Sequence, residues 1–388
     1  MAYTISALDT ALKQYTDGQN AALVANTILG VDSLQRMTLQ TGVKAITPII
    51  KFTTPANFQD GSSCGFSASG NTAFTNRMLN PAAIKVQAEW CPETLLGTWA
   101  AHEVRVAAGS ETMPFEEKIL DEISRNIKVE LEKMIWQGDK TNGSGNMAFL
   151  DGITTLIKQD IANSVITNVL TAGASDTIYD RVKAVFRAMP ENTINRATLC
   201  MSVSNYKDLV VALMEANLYH YNEGENAELN LTFPGTTMKV QAIRGLAGDD
   251  NLYCLPMDEL VYGVDLENDA EQFDFWFERS AQTFRLNCKF MASVNYAFPE
   301  NICVSVPNAS ITLNKTSTTI ANGSTEQLTA TVVPAGSTVT WSSSDETKAT
   351  VATDGTVTGV VAGSATITAA ITPASGVTYT ATCAVTIS

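Results

Sequence analysis

Histidine is nearly absent from this chain, and its absence limits the chemistry that the chain can perform. The 388 residues include two histidines, His102 and His220, which lie far apart in the sequence. Neither has neighbours that form a catalytic or metal-binding pattern. The motifs G-x-S-x-G, G-x-x-x-x-G-K-[ST] and H-E-x-x-H are also missing. We therefore predict no catalytic residue, no cofactor site and no metal site, and we expect that the chain is not an enzyme.

Cysteine pairs and long apolar runs are missing as well. The seven cysteines are odd in number, scattered, and show no C-x-x-C pair. This pattern predicts reduced thiols, mostly buried, rather than a disulfide framework or a metal cluster. The first residues do not combine a basic region with an apolar run, so we expect no signal peptide. No stretch approaches the roughly 20 apolar residues that a membrane helix needs, so we expect no membrane partner.

Positive charge is in short supply. The chain has 25 Lys and Arg residues against 40 Asp and Glu residues, which gives a net charge of −15. This balance argues against broad phosphate binding, which needs clustered basic residues. It favours solubility at high local concentration. The acidic clusters at 249–250 and 265–271 show no metal-binding loop pattern, and we interpret them as a turn and a solvated loop.

The chemical character of the chain changes near residue 306. From Val306 to Ser388, 31 of 83 residues are Ser or Thr, and two are Lys, while none is Arg. Alternating segments such as 327–332, 338–341, 365–369 and 381–387 are separated by Gly and Pro. About seven short strands in about 80 residues indicate a β-sandwich. We expect Trp341 to be its central core aromatic residue.

A long amphipathic helix is the strongest signal before that point. It is predicted from about Pro114 to Gln137, with Thr112 as a cap and Gly138 as the stop. Acidic and basic residues, Glu132 among them, occupy the other faces. The apolar positions that recur at helical spacing, and that we expect in the assembly core, include Phe115, Ile119, Ile123, Ile127 and Leu131.

The clearest hairpin lies at 273–290, where aromatic and polar residues alternate. A turn between Ser280 and Ala281 places Phe277 opposite Phe284 and Phe275 opposite Leu286. One face is then wholly apolar, and a slip of one residue would bury charges, so the register is well specified. We assign Phe275, Phe277 and Phe284 to the same assembly core.

Weaker patterns complete an α+β body. Strand patterns at 45–52, 72–79 and 83–90 flank the Gly- and Ser-rich segment 53–71, which predicts a long hairpin with a mobile tip. Helices are expected at 177–189 and 204–219, and strands at 238–244 and 260–262.

The tail resembles the bacterial immunoglobulin-like (Ig-like) group 2 domain. The residues that carry the resemblance include Val339-Thr340-Trp341-Ser342-Ser343 and Gly355-Thr356-Val357-Thr358-Gly359. Residues 307–388 are therefore expected to form an all-β Ig-like sandwich. In that family such modules serve adhesion or surface decoration.

The body resembles tailed-phage major capsid proteins of the Hong Kong 97 type. The resemblance is one of order: an arm, a long loop, a helix opened by Met113-Pro114-Phe115-Glu116-Glu117, then closing strands up to Val294–Glu300. It implies a capsid body at 1–306. Within it the resemblance implies an N-arm (1–50), an extended loop (51–90), a peripheral domain with the spine helix (91–174 and 291–306) and an axial domain (175–290).

The resemblance also implies partners. Copies of the chain would form the pentamers and hexamers of an icosahedral shell, helped by scaffolding and portal proteins. The shell would enclose double-stranded DNA without sequence-specific binding. The Ig-like module would face outward, where it could contact glycans or a host surface. The implied location is the virion, and the host cytoplasm during assembly.

Two other functions stay open at the level of sequence. One is a bacterial surface adhesin whose tail is a single Ig-like repeat. The other is an enzyme or binding protein with a carbohydrate-binding tail. Particle size distinguishes them, because a shell protein forms assemblies far larger than a monomer or dimer.

Overall fold

A computed structural model describes residues 29–53, 73–91, 115–173, 176–217, 230–265, 272–333, 337–372 and 378–388, together with residues 10, 58, 93 and 102. Most of the predicted arm, most of the tip of the predicted loop, and the predicted cap at Thr112 lie outside these residues. The contacts divide the chain into two compact units. The first unit comprises residues 1–156, 243–247 and 256–299, and the second comprises 157–242, 248–255 and 300–388.

Four α-helices and thirteen strands are described before residue 307. The helices are α1 (Phe115–Gln137), α2 (Ile153–Ala162), α3 (Ile178–Ala188) and α4 (Val203–Glu215). The strands are β1 (Thr38–Gln40), β2 (Thr47–Thr53), β3 (Ala73–Leu79), β4 (Ala82–Trp90), β5 (Val169–Thr171), β6 (Ala197–Met201), β7 (Asn230–Thr232), β8 (Lys239–Ala242), β9 (Leu252–Pro256), β10 (Leu260–Val264), β11 (Gln272–Glu278), β12 (Thr283–Tyr296) and β13 (Cys303–Val306). Short 3₁₀ helices lie at Asp32–Arg36, Gly145–Ala148, Arg244–Leu246, Met257–Glu259 and Pro299–Asn301.

Nine further strands are described in the tail. They are β14 (Ser310–Leu313), β15 (Ser317–Ile320), β16 (Thr325–Gln327), β17 (Ala330–Val333), β18 (Val339–Ser343), β19 (Ala349–Val351), β20 (Thr356–Gly359), β21 (Gly363–Ile371) and β22 (Tyr379–Ile387).

The first unit is organised around β12, the longest described strand at 14 residues. Its first half lies between β11 and β4, and its second half pairs with β10, which also pairs in parallel with β1. A separate hairpin joins β2 and β3, with Thr47 opposite Leu79. After leaving the hairpin, the polypeptide therefore returns to the main sheet through β4.

The predicted register of the aromatic hairpin is confirmed. Phe277 pairs with Phe284, and Phe275 pairs with Leu286. The rings of Phe277 and Phe284 are 5.1 Å apart between centroids, at an angle of 58°. On β12, Phe284, Leu286 and Cys288 are buried. The alternation of apolar and polar residues thus determines which face of this sheet is buried.

The second unit contains a six-stranded sheet in the order β5-β13-β9-β6-β8-β7. Helices α3 and α4 pack on it through Val182, Val185, Leu209 and Leu213, all of which are fully buried. Both helices begin at side-chain caps that the chain itself supplies. Thr177 and Asp180 form a capping box at α3, and Ser202 accepts a hydrogen bond from the Asn205 backbone at α4.

The tail is an all-β sandwich, as expected. It contains a four-stranded sheet, β15-β22-β21-β18, a three-stranded sheet, β16-β20-β19, and the pair β14-β17. Its core includes Leu328, Val357, Ile367 and Cys383, each 0% exposed. Because successive residues of β21 and β22 alternate between buried and accessible, one face of these strands packs inward and the other meets solvent.

Candidate assembly surfaces

Helix α1 supplies the predicted assembly core. Of the predicted residues, Ile127 and Leu131 are buried, and Ile119 and Ile123 are half-buried. Phe115 is the first residue of the helix. Ile135, which recurs at the same helical spacing, is fully buried. Leu120 and Trp136 are also fully buried on α1, and the sequence pattern did not predict them.

An apolar groove of about 410 Å³ runs between α1, β4 and β12. Its walls include Ile127, Leu131 and Met134 from the helix, and Ile84 and Phe290 from the sheet. Its polar rim consists of Lys85, Gln87, Asn126, Glu130 and Asn146. The groove offers a surface for apolar groups and no convergent set of catalytic groups.

The rim of this groove is fixed by hydrogen bonds from α1. The Glu130 carboxylate accepts from Lys133 Nζ at 2.7 Å and from Asn146 Nδ2 at 3.0 Å. The hydrogen bond from Lys133 is the main cause that lowers the pKa of Glu130, and the hydrogen bond from Asn146 lowers it further. Glu130 is therefore ionised over the physiological pH range.

Glu132 was expected on a polar face of α1, and this expectation is wrong. The residue is 5% exposed. Its carboxylate accepts hydrogen bonds from the Ser33 hydroxyl and, at 3.3 Å, from the Ser33 backbone nitrogen. The Trp136 indole donates to the Ser33 hydroxyl at 2.8 Å. Burial raises the pKa of Glu132, and the bonds from Ser33 oppose this increase. The short helix at 32–36 therefore covers one side of α1.

The hairpin of β2 and β3, together with Ile46 directly before β2, exposes apolar side chains. Ile46 and Ile50 are 66% and 67% exposed, and Met78 is 42% exposed. Isolated exposed apolar residues are ordinary, but three on one small hairpin form a surface suited to contact with another protein.

The base of this hairpin is held to the main sheet by polar contacts. Arg77 donates to Asn295 Oδ1 at 3.1 Å and lies 4.2 Å above the Tyr296 ring. Asn295 donates to the Met78 carbonyl at 2.8 Å. The exposed apolar groups are thus presented on an anchored element.

The second unit contains a buried polar cluster that sequence reasoning missed. Arg181 on α3 is 8% exposed and donates to the carbonyls of Ser305 at 2.8 Å and Asp250 at 2.9 Å. Burial lowers the pKa of Arg181, while Asp250 and Asp249 oppose that change. Since its donors meet backbone carbonyls of two segments, Arg181 joins these segments to α3.

The neighbouring carboxylate of Asp249 is also enclosed. It accepts from the Tyr253 hydroxyl at 2.8 Å and from the Asn251 backbone at 2.9 Å. Burial raises the pKa of Asp249. The predicted turn at Gly248–Asn251 therefore encloses Asp249, whereas Asp250 is exposed.

Trp341 lies in the tail where expected, on β18 opposite Ala369. It is half-buried and packs against both apolar clusters of the sandwich. One side of its ring is approached by Gly355, where an added Cβ would lie 2.7 Å from the indole. Its role as the core aromatic residue stays a prediction.

Possible metal ligands stay apart in the part of the chain that the structure describes. Within the described ranges, no group of three or more His, Cys, Asp or Glu side chains could hold a metal ion. His102 is buried at 5% exposure, and His220 lies outside the described residues. None of the described helices is long and apolar enough to cross a membrane.

Comparison with known sequences identifies the tail. A model of the bacterial Ig-like domain (group 2) matches residues 307–381. A stretch of 60 residues is 60% identical to an alpha-L-arabinofuranosidase of Bifidobacterium longum subsp. longum. That match covers 15% of this chain and 6% of the enzyme, so the chain spans a small fraction of its relative.

Comparison with solved structures identifies the fold of the body. A chain from the satellite phage P4 procapsid that includes the size determination (Sid) protein matches with a TM-score of 0.52 and 9% identity. The match covers 74% of this chain and 90% of that one. A chain from Microbacterium phage Oxtober96 matches with a TM-score of 0.48 and 13% identity, covering 72% and 91%. The predicted fold, a Hong Kong 97-type capsid body followed by an Ig-like sandwich, is confirmed.

Proposed function

We propose that this chain is the major capsid protein of a tailed bacteriophage with double-stranded DNA. The observation that carries the proposal is the fold shared with a procapsid chain over 74% of the residues. In this proposal copies of the chain assemble into the pentamers and hexamers of an icosahedral shell. Scaffolding and portal proteins assist, and the activity of the chain is self-assembly rather than catalysis.

The exposed surfaces and the charge support this function. A hairpin with Ile46, Ile50 and Met78 on its outside is suited to contact with a neighbouring copy. The net charge of −15 suits a shell that encloses DNA without binding its phosphates. The domain limits proposed from the sequence, with the arm at 1–50 and the axial domain at 175–290, belong to the same proposal.

The tail is proposed to be an outward module that contacts glycans or a host surface. Its match to an Ig-like family and its lack of Arg support a role separate from the shell. A surface adhesin or carbohydrate-binding protein is the alternative, and the short identity with an arabinofuranosidase is the observation that favours it. No catalytic role is transferred from that enzyme, because the match covers 6% of it.

The direct test is assembly of the full-length chain. Expressed with its scaffolding protein, it should form closed particles that negative-stain microscopy and sedimentation detect. Under the same conditions Ile50→Asp should prevent particle formation without lowering the unfolding midpoint, since Ile50 is 67% exposed. Val360→Asp, at a tail position that is 41% exposed, is the matched control and should assemble normally. A wild-type chain that stays monomeric or dimeric would favour the hypothesis of a surface adhesin.

Deletion of residues 307–388 tests the tail separately. If the tail is an outward module, the shortened chain should still form particles of the same diameter. The measurement is particle yield and diameter by microscopy. Failure to assemble, with the body still folded, would show that the tail holds the shell together.

A further inference from the structure

The six-stranded sheet places two cysteines directly opposite each other. Cys254 on β9 and Cys303 on β13 are register partners in an antiparallel ladder. Directly opposed residues in such a ladder have Cα atoms about 4.5–5.5 Å apart. Disulfides span Cα distances of about 4.4–6.8 Å. The spacing of the two strands is therefore within the range that a disulfide can span.

The two side chains also share one face of the sheet. Partners in an antiparallel pair point to the same side. Both cysteines belong to the buried cluster beneath α3 and α4, and both are 0% exposed. In the structure they are free thiols.

A third cysteine of this sheet, Cys200 on β6, is directed elsewhere. Its neighbours Leu199 and Met201 belong to the cluster that contains Cys254. Because successive side chains of a strand alternate, Cys200 lies on the opposite face. It is equally buried, so it is a matched control within the same sheet.

We propose that Cys254 and Cys303 form a cross-strand disulfide when the protein meets a low-molecular-weight disulfide such as oxidised glutathione. One cysteine thiol loses its proton, and the resulting thiolate attacks the glutathione disulfide. This attack releases one glutathione thiolate, which takes up a proton. The second cysteine thiolate then attacks the mixed disulfide, and the Cys254–Cys303 bond forms as the second glutathione leaves. The two protein thiols are oxidised, and one glutathione disulfide is reduced to two thiols.

The position of the bond gives it a mechanical consequence. The chain passes from the second unit to the first directly after Leu255 and returns at Glu300. The two cysteines thus lie beside the two points at which the chain leaves and re-enters the second unit. A bond between them closes a loop that contains residues 256–299, so β9 and β13 could not separate without breaking a covalent bond. Closure of so long a loop stabilises the folded state.

Burial determines when the reaction occurs. It raises the pKa of the Cys303 thiol to about 12 and that of Cys254 well above its usual value. Since the thiolate is the nucleophile, the closed sheet reacts slowly. We expect oxidation during folding or through partial opening, and low concentrations of urea should accelerate it.

The test uses the reduced full-length protein with oxidised glutathione, just below the urea concentration that begins to unfold it. After alkylation of the remaining thiols, peptide mapping without reduction should show the Cys254 peptide joined to the Cys303 peptide. The intact protein should lose about 2 Da, and its unfolding midpoint should rise until a thiol reductant is added. Cys200→Ala should keep the bond, whereas Cys254→Ala and Cys303→Ala should abolish it.

Several results would overturn the proposal. These are a bond between another pair of cysteines, glutathione adducts alone, or no oxidation even in urea. A bonded form with a lower midpoint would refute the stabilising role. The mapping of the wild-type chain decides the pairing even if a variant fails to fold.

Discussion

The six-stranded sheet of the body and the sandwich sheets of the tail differ in how their strands are buried. In the body, every residue of β6, β9 and β13 is buried. In the tail, β21 and β22 alternate between buried and accessible positions. A sheet covered on both faces needs continuous apolar strands, whereas a sandwich sheet with one wet face needs alternation. The same element type thus arises from two sequence patterns in one chain.

The cores differ in polarity as well. Among the described residues, every buried polar or charged side chain lies before residue 306. Three of these buried ionisable groups, Glu132, Arg181 and Asp249, have shifted pKa values. The tail core in the same description consists of apolar groups and a thiol. We therefore expect pH and charge substitutions to act on the body, and packing substitutions to act on both regions.

Charge insertion at adjacent positions should produce the largest difference between the regions. Leu199→Asp and Cys200→Asp should each destabilise the body by at least about 3 kcal/mol, because each buries an unpaired charge on one face of β6. In the tail Thr366→Asp should change stability by no more than about 0.5 kcal/mol, since Thr366 is exposed. Urea unfolding followed by circular dichroism measures all three. A tolerated Cys200→Asp would show that the sheet is not covered on both faces.

Helix α1 of the body resembles the tail strands in one respect, because buried and exposed side chains lie close together along it. Ile127→Ala should destabilise the protein by about 2–5 kcal/mol, because Ile127 is 8% exposed and packs in the groove with β12. Val129→Ala, two residues away and 45% exposed, should cost less than about 1 kcal/mol. Thermal unfolding of both variants provides the comparison. Equal effects would contradict the burial of Ile127 and the exposure of Val129.

These patterns explain which parts of the fold could be predicted from sequence. The hairpin register at Phe277 and Phe284 follows from the alternation of apolar and polar residues. The end of α1 at Gln137 follows from the stop signal at Gly138. Strands β6 and β9 are short, continuous apolar runs, whose periodicity does not separate a strand from a buried helix. Their order in the sheet depends on contacts between distant segments.

The contacts of Glu132 were missed for the same reason. Helical spacing placed this residue outside the apolar stripe, and its partner Ser33 is 99 residues away in the chain. Trp136 lies one turn later on the same side of α1 as Glu132. This residue could have indicated the burial of Glu132, because a large aromatic residue outside the apolar stripe implies that a second face of the helix is buried. Identifying Ser33 as the cover requires the tertiary structure.

Two glycines of the tail should separate steric crowding from backbone strain. Gly355 has φ +88°, and an added Cβ would lie 2.5 Å from the Leu328 carbonyl oxygen. Gly355→Ala should therefore cost about 2–4 kcal/mol, from strain and overpacking together. Gly323 has φ +78° with open space around it, so Gly323→Ala should cost about 1–2 kcal/mol from strain alone. Thermal unfolding measures both. A milder effect at Gly355 than at Gly323 would contradict the packing against Trp341.

The smallest expected effects are pH dependences of opposite sign on α1. The raised pKa of Glu132 means that the folded state favours its neutral form. Its contribution is complete below the unfolded pKa and is lost as pH rises through the folded pKa. Glu132→Gln, which keeps an acceptor for Ser33, should thus gain stability relative to wild type as pH rises.

Glu130, two residues earlier, provides the matched comparison. Its lowered pKa means that the folded state favours its charge, so its contribution is present above the unfolded pKa and is lost as pH falls. Glu130→Gln should be less stable than wild type near neutrality and equal to it in acid, with a small effect because the pair with Lys133 is largely exposed. Urea midpoints from about pH 2 to about pH 8 cover both transitions. Parallel slopes for the two variants would contradict the burial of Glu132, because two carboxylates with the same solvent exposure on one helix should titrate alike.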